Sequence, residues 1–232
     1  MKLAKIALLV ESTALGKGVQ SIMRPLFDAK GLAPVLVEEY KPGDLDFTVS
    51  LNKARSAGAQ ALIIWFGNTT DVVRYNKNMQ SMGWDVPVLG PSSLADSAVL
   101  ESVGAAALQK SYGLSQRSLA FSDNQPLPKA MVDFREKVRA KLNGEKPLKT
   151  AIVLPAAFYD TMYVIKAAAE KAGSVEGDKL KAEMEKITQW QGVYATWTFS
   201  STSHRPLGDD DGTMVVAASC DDAACKKAPN AP

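Results

Sequence analysis

The stretch LAKIALLVESTALGKG, Leu3–Gly18, decides the fold. Its first half, Leu3–Val10, is apolar on both faces, which is typical of a parallel strand covered by helices on both sides. Its second half, Glu11–Gly18, is a glycine turn that leads into a helix. A buried strand, a turn and a helix in immediate succession predict an α/β protein, and such a unit is expected in the middle of one rather than at its beginning.

Strands and helices alternate regularly from this unit to Leu114. The helix after the first strand has an apolar stripe with helical spacing: Val19, Ile22, Met23, Leu26 and Phe27. Further strands are predicted at Pro34–Glu38, Ala61–Phe66, Val86–Leu89 and near Lys110–Leu114, and helices between them are expected to stop at Gly31, Gly58 and Gly83, with another near Ser97–Val103. This alternation predicts a doubly wound parallel sheet.

The pattern changes after Leu114, where the polar, loop-like segment Ser115–Pro128 begins. Three helical stretches follow, with apolar positions Met131, Phe134, Val138 and Leu142, then Phe158, Met162, Ile165, Ala168, Ala169 and Ala172, then Leu180, Met184 and Ile187. Strands are predicted near Val193–Phe199 and at Thr213–Ala218. A helix with an apolar stripe must bury it. Either these helices dock on the first unit, or they belong to a second lobe whose strands lie upstream of residue 1.

Composition excludes several classes of protein. The chain has 232 residues and a net charge of +2, with 27 basic residues scattered among 25 acidic ones, so it has no nucleic-acid footprint. No apolar run approaches the ~20 residues needed to span a bilayer. The apolar segment Ile6–Val10 is too short for the core of a signal peptide. We therefore expect any export signal to be absent from this chain or removed.

Residues suited to catalysis or metal binding are scarce. Cys220 and Cys225 lack a second ligand pair for zinc. In an oxidising compartment they can close a small disulfide loop worth about 2 kcal/mol; two free thiols are the alternative. His204, the single histidine, is expected to have a structural role in a turn. A Walker A loop needs glycine where Glu11 stands and Ser or Thr where Gly18 stands. No enzymatic activity, cofactor or metal is expected.

Four stretches, in this order and spacing, carry a resemblance to a known family: Glu11–Gly18 (ESTALGKG), Tyr40–Ile64 (YKPGDLDFTVSLNKARSAGAQALII), Val86–Ala107 (VPVLGPSSLADSAVLESVGAAA), and Ala157–Ser174 (AFYDTMYVIKAAAEKAGS) with His204–Gly212 (HRPLGDDDG). The chain resembles the solute-binding proteins of ABC importers, in particular the branched-chain amino-acid-binding family with the type I periplasmic binding fold.

The resemblance implies a receptor that binds a small carboxylate or amino-acid-like ligand between two lobes and delivers it to an ABC permease. The location it implies is periplasmic or extracytoplasmic. Residues 1–114 with 210–232 would form the C-terminal lobe, and residues 115–209 the returning part of the N-terminal lobe, whose upstream strands have no counterpart here. The three helices would then expose apolar surface unless a second copy or a fragment covers it.

Two other functions stay open at this point. A sensory or regulatory ligand-binding module on the same fold would act through a partner protein instead of a permease. A hydrolase on an α/β sheet is the weaker alternative, because the chain lacks a recognisable set of nucleophile and base.

Ligands of open α/β sheets bind at the carboxyl ends of the strands. The candidate ligand-binding residues therefore follow three strands: Ser12, Thr13, Ala14 and Leu15; Phe66, Gly67, Asn68 and Thr69; and Pro91, Ser92 and Ser93. Most are small or polar, as a pocket rim requires. The alternative is ordinary loop chemistry, with Thr69 or Thr70 as a helix N-cap and Ser93 as a turn residue.

Transfer of the family's ligand contacts, residue by residue, points away from a standard amino acid. Members that bind amino acids place aromatic residues where Leu15 and Asn68 stand, and an acidic residue that pairs with the ligand ammonium where Ser92 stands. An enclosed ammonium without a carboxylate partner loses about 3–5 kcal/mol, at least a hundredfold in affinity. Asp71 or Asp96 could substitute. A carboxylate ligand without an ammonium, an aromatic or aliphatic acid, fits better.

Overall fold

A computed structural model describes residues 5–148, 152–208 and 211–231. Its strands are β1 (Ile6–Glu11), β2 (Leu36–Tyr40), β3 (Ala61–Trp65), β4 (Val88–Gly90), β5 (Ser111–Gln116), β6 (Ala120–Phe121), β7 (Trp190–Gln191), β8 (Thr196–Trp197), β9 (Gly212–Val216) and β10 (Cys225–Lys226). Its α-helices are α1 (Ala14–Ala29), α2 (Thr48–Ser56), α3 (Thr69–Ser81), α4 (Ser97–Val103), α5 (Lys129–Lys141), α6 (Val153–Ala172) and α7 (Gly177–Met184). The first predicted strand begins at Leu3, which lies outside the described residues.

The chain divides into two compact units, one of Met1–Leu114 with Met214–Cys220 and the other of Ser115–Thr213 with Asp221–Pro232. The division after Leu114 falls where the sequence pattern changes. Residues 210–232 were predicted to return to the first unit, but only Met214–Cys220 belongs to it, and Asp221–Pro232 belongs to the second unit. That segment stays with the second unit because β10 pairs in parallel with β6, and the Lys227 N–H donates to the Phe121 carbonyl at 2.8 Å.

The first unit is built on a six-stranded sheet with the order β2-β1-β3-β4-β5-β9. β1 to β5 pair in parallel. In the register of the sheet, Leu8 of β1 lies opposite Val37 of β2 on one side and Ile63 of β3 on the other. The α/β class and the parallel sheet are therefore confirmed.

Helices cover both faces of this sheet. α1 packs through Val19 on Leu8 and Val10. Because side chains alternate along a strand, Ala7 and Leu9 point to the opposite face, where they join the main core. That core holds buried residues of α2, α3 and α4: Leu51, Ala54, Val72, Tyr75, Met79, Val99 and Val103. The predicted stripe of α1 is only partly buried, since Ile22 and Leu26 are exposed.

In the second unit, the buried positions of α6 coincide with the predicted stripe only at Ala168. The buried positions are Ala156, Asp160, Val164 and Ala168, spaced four residues apart. The predicted contacts Phe158, Met162 and Ile165 are exposed, with Phe158 at 68%. The sequence contains two stripes on this helix, and the one with small residues and an aspartate is the one that packs.

The buried aspartate explains why the strand predicted near Val193–Phe199 is instead a short hairpin of β7 and β8. Asp160 accepts hydrogen bonds from the backbone N–H groups of Val193 and Tyr194, both at 2.8 Å. It also accepts one from the Trp197 indole N–H at 2.9 Å. These contacts hold the chain in a turn where an extended strand was expected.

A charged cluster fixes the tail of the second unit. The Asp222 carboxylate pairs with Arg135 and Arg139 and accepts a hydrogen bond from the Leu148 N–H at 2.7 Å. Burial by itself raises the pKa of this carboxyl, but the Leu148 N–H and the two guanidinium groups outweigh it and hold the pKa below its usual value.

This cluster predicts a stability loss in acid. A carboxyl whose pKa is lowered by folding stabilises the folded state above its unfolded pKa of about 4, and that contribution is lost as pH falls through the lower folded pKa. Asp222→Asn should therefore flatten the dependence of the unfolding free energy on pH below about 4, measured by urea denaturation. Asp123→Asn, which removes an exposed carboxylate paired with Lys226, is the control. An unaltered slope in Asp222→Asn would contradict the prediction.

The sequence predictions also concerned the two cysteines and membrane-spanning segments. Cys220 and Cys225 are both disulfide-bonded. Within the described parts of the chain, no helix combines the length and apolar character needed to cross a membrane.

Candidate functional site

Three loops of the first unit share one edge of its sheet. β1 pairs with β3, and β3 pairs with β4, all in parallel. Their carboxyl ends therefore lie side by side, and the loops that follow them lead into α1, into α3 and into a 3-10 turn at Ser92–Ala95. The predicted candidate residues are distributed over these three loops.

The first loop presents exposed side chains at the start of α1. Ser12, Thr13, Ala14 and Leu15 are all exposed, with Leu15 at 49%. Thr13 is the N-cap, and its hydroxyl oxygen accepts a hydrogen bond from the Leu15 N–H at 3.2 Å. The same hydroxyl donates to the Glu11 carboxylate. Leu15 is the largest apolar side chain that this loop exposes.

The second loop has one exposed part and one buried part. Gly67 and Asn68 are exposed. Asn68 is the N-cap of α3 and accepts a hydrogen bond from the Asp71 N–H at 2.8 Å. The prediction that Thr69 or Thr70 caps this helix is therefore wrong; the Asn68 backbone is extended, and the helix begins one residue later.

Phe66 does not line the site as predicted. Only 1% of it is exposed, and its ring lies within an aromatic cluster, with ring centroids 4.5 Å from Tyr40, 5.3 Å from Phe47 and 5.2 Å from Tyr75. Phe66 follows directly on β3, and its side chain enters the main core with Ile64, on the opposite face from Trp65. The alternation of strand side chains decides this placement.

The third loop offers fewer groups than predicted. Pro91 is buried, because it lies between β4 and the turn that packs Leu94 into the core. Ser92 is exposed and Ser93 is partly buried. The Ser93 hydroxyl donates to the Phe66 carbonyl at 3.2 Å, so Ser93 connects the third loop to the second.

Side-chain hydrogen bonds tie all three loops into one wall. The Gly67 N–H donates to Glu11 Oε2 at 2.9 Å, which joins the second loop to the end of β1. The Thr69 hydroxyl donates to Asp96 at 3.3 Å, which joins it to the third. Glu11 was not among the site residues predicted from the sequence. The signal that could have identified it is a carboxylate at the end of a strand, directly before a glycine turn.

The carboxylates in this wall already have partners within the protein. Asp71 accepts hydrogen bonds from the Gly43 N–H at 3.0 Å and from the Asn68 side-chain amide at 2.8 Å, and it pairs with Arg74 at 3.3 Å. Asp96 caps α4 through the Ala98 N–H at 2.9 Å. Both aspartates therefore have structural roles as hydrogen-bond acceptors within the protein.

Tyr40 is the last residue of β2 and lies opposite Glu11, the last residue of β1, in the register of the sheet. Burial, followed by the negative charges of Glu11 and Asp71, raises the pKa of its hydroxyl. The phenol therefore stays neutral at every ordinary pH. In the part of the chain that the structure describes, no group of three or more His, Cys, Asp or Glu side chains is arranged to hold a metal ion.

In doubly wound parallel sheets, small ligands commonly bind at the carboxyl ends of the strands, where these three loops lie. Comparison with known proteins makes the class specific. Residues 2–219 match the family model described as periplasmic binding protein, and the chain belongs to this family.

Among curated proteins, the chain is 26% identical over 226 residues to the Leu/Ile/Val-binding protein homolog 3 of Brucella melitensis, covering 93% of this chain and 56% of that protein. Among solved structures, it is similar to a type 1 periplasmic binding protein from Bordetella pertussis, with TM-score 0.78, 20% identity and coverage of 93% and 58%. It is also similar to LivJ from Streptococcus pneumoniae, a branched-chain amino acid transporter substrate binding protein in complex with isoleucine, with TM-score 0.70, 20% identity and coverage of 92% and 57%. The chain thus spans somewhat more than half the length of these relatives.

Proposed function

We propose that this chain is the ligand-binding part of a non-enzymatic solute receptor of an ABC importer. It acts in the periplasm or at the cell surface and passes a small acid to a membrane permease. The observation that carries the proposal is the wall of three loops at the carboxyl ends of β1, β3 and β4, tied together by Glu11, Ser93 and Thr69. A pre-organised wall of this kind favours binding, because its groups lose little freedom when the ligand arrives.

The ligand class follows from the charges of the wall. None of the exposed candidates has an acidic side chain; they are Ser12, Thr13, Ala14, Leu15, Gly67, Asn68 and Ser92. The nearby carboxylates of Glu11, Asp71 and Asp96 each accept hydrogen bonds from protein N–H or hydroxyl groups. An ammonium group enclosed here lacks a carboxylate partner and binds at a large cost. We therefore favour an aliphatic or aromatic carboxylic acid over an α-amino acid.

Isothermal titration calorimetry with matched ligand pairs tests this function. Leucine and 4-methylpentanoate differ only in the ammonium group, as do phenylalanine and 3-phenylpropanoate. We expect the acid of at least one pair to bind at least tenfold more tightly than its amino acid, one tenfold step being about 1.4 kcal/mol. Tighter binding of the amino acids would overturn the ligand class, and no binding of any of the four would count against the receptor function.

A further polypeptide is proposed to cover the exposed stripe of α6. Leu154, Phe158 and Met162 are each more than 60% exposed and lie four residues apart on one side of this helix. Large exposed apolar patches mark interaction surfaces. Either a second copy of the chain or a fragment would bury the stripe. Native mass spectrometry separates these two outcomes by mass, and a monomer in which Phe158→Ser alters neither solubility nor stability would contradict the proposal.

A further inference from the structure

Glu11 is a buried carboxylate whose role the proposed ligand contacts do not explain. It is the last residue of β1, and only 6% of it is exposed. Burying a charged carboxylate is costly unless hydrogen-bond donors surround it. The donors around Glu11 therefore indicate what the residue does.

Those donors come from two different loops of the candidate site. The Gly67 N–H, in the loop after β3, donates to Glu11 Oε2 at 2.9 Å. The Thr13 hydroxyl, in the loop after β1, donates to Glu11 Oε1. The Thr13 oxygen in turn accepts the hydrogen bond from the Leu15 N–H at the start of α1. One carboxylate thus links the first turn of α1 to the second loop.

The surrounding glycines leave the space that this link requires. A Cβ atom at Gly67 would lie 2.6 Å from Glu11 Oε2, and one at Gly16 would lie 1.7 Å from the Glu11 carbonyl oxygen. Both separations are shorter than non-bonded atoms tolerate. A side chain at Gly67 would displace the carboxylate, and one at Gly16 would push α1 away from the end of β1. The link therefore depends on residue choice at several positions.

We propose that Glu11 is a positioning residue for ligand binding, which fixes the loop Ser12–Leu15 relative to Gly67 and Asn68 without itself contacting the ligand. The inference rests on the proposed function of these loops as a ligand-binding wall. Its physical basis is that a wall held in the bound geometry loses less freedom on binding than one whose two loops move independently.

Variants of Thr13 test the link without removing the buried charge. Thr13→Val deletes the hydroxyl at nearly constant shape, and Thr13→Ser retains it. Amide hydrogen exchange reports the effect on the neighbouring loop through the Gly67 N–H, and calorimetry with 4-methylpentanoate and leucine reports the affinity. We expect Thr13→Val to speed Gly67 exchange about tenfold and to weaken binding about tenfold, within the usual range of coupling between sites, and Thr13→Ser to restore both.

Two further variants test whether the changes in exchange and affinity arise from the hydrogen bonds of Glu11. Glu11→Asp keeps the charge but shortens the side chain by one methylene, so it cannot reach both donors and should behave like Thr13→Val. Thr196→Val, the same chemical change in the hairpin of the other unit, should leave both readouts unchanged. Equal effects of Thr196→Val and Thr13→Val would point to general destabilisation and overturn the role.

The results of these experiments distinguish a failure of the positioning role of Glu11 from a failure of the proposed receptor function. Unchanged Gly67 exchange in Thr13→Val overturns the link, whatever the ligand. Faster exchange with unchanged affinity overturns the role in binding. If the unmodified chain binds neither probe, nor the other matched pair, the receptor function fails and the role fails with it, while the exchange measurement still reports whether Glu11 joins the two loops.

Discussion

Replacing Asp160 with alanine is expected to lower the free energy of unfolding of the second unit by about 3–5 kcal/mol. Asp160 is 1% exposed and accepts hydrogen bonds from two backbone N–H groups and from the Trp197 indole. Alanine leaves all three donors without an acceptor, and each unsatisfied buried group costs about 1–3 kcal/mol. Urea denaturation followed by tryptophan fluorescence measures the loss, since Trp197 lies at the site.

Asp133→Ala is the matched control for this variant. Asp133 lies on α5 of the same unit, is about half exposed and pairs with Lys129 one helical turn away, so its loss should cost less than about 1 kcal/mol. Asp160→Asn keeps the shape of the side chain but replaces one acceptor oxygen with a donor, and it provides a milder variant if Asp160→Ala does not fold. Equal stability of Asp160→Ala and Asp133→Ala would show that the hairpin is held by other contacts.

Phe66→Ala is expected to destabilise the first unit by a similar amount, about 3–5 kcal/mol, because it opens a cavity in a close-packed core. Phe66 is 1% exposed and contacts three other aromatic rings, with the nearest centroid 4.5 Å away at Tyr40. Phe66→Leu, which leaves a smaller void, should cost less than half as much. Chemical denaturation at neutral pH measures both values.

Leu15→Ala separates the core role of Phe66 from a role in the ligand site. Leu15 is half exposed on the first loop, so its truncation should alter stability by no more than about 0.5 kcal/mol while weakening binding of an apolar acid. Phe66→Ala should lower the stability of the first unit more than it weakens binding of the acid. A Phe66→Ala variant with full stability and lost affinity would restore Phe66 to the ligand-binding residues.

Much of the first unit could be predicted from sequence because its signals are local. Buried strands such as Ala61–Trp65, and glycines such as Gly58 and Gly83 that adopt positive φ at helix ends, depend on near neighbours along the chain. The positions of the candidate loops followed from the same signals, since parallel strands place their carboxyl ends at one edge. Which side chains of those loops face solvent did not follow, as Phe66 and Pro91 demonstrate.

The second unit was harder to predict because its decisive contacts are distant in sequence. α6 carries two apolar stripes, and periodicity cannot tell which one packs. The structure buries the stripe with Asp160, whose hydrogen-bond donors lie 33 to 37 residues further along the chain. Likewise, Asp222 holds the tail through arginines more than 80 residues away.

The sequence by itself determined the α/β class, the alternation up to Leu114, the membership of the periplasmic binding protein family and the edge of the sheet at which the loops gather. These features arise from the order and spacing of neighbouring residues. Only the tertiary structure decided that Phe66 belongs to the core, that α6 packs through Asp160, and that Glu11 joins two loops. Each of these depends on whether a distant partner meets the side chain, because a polar group is stable in the interior only where its hydrogen bonds are satisfied.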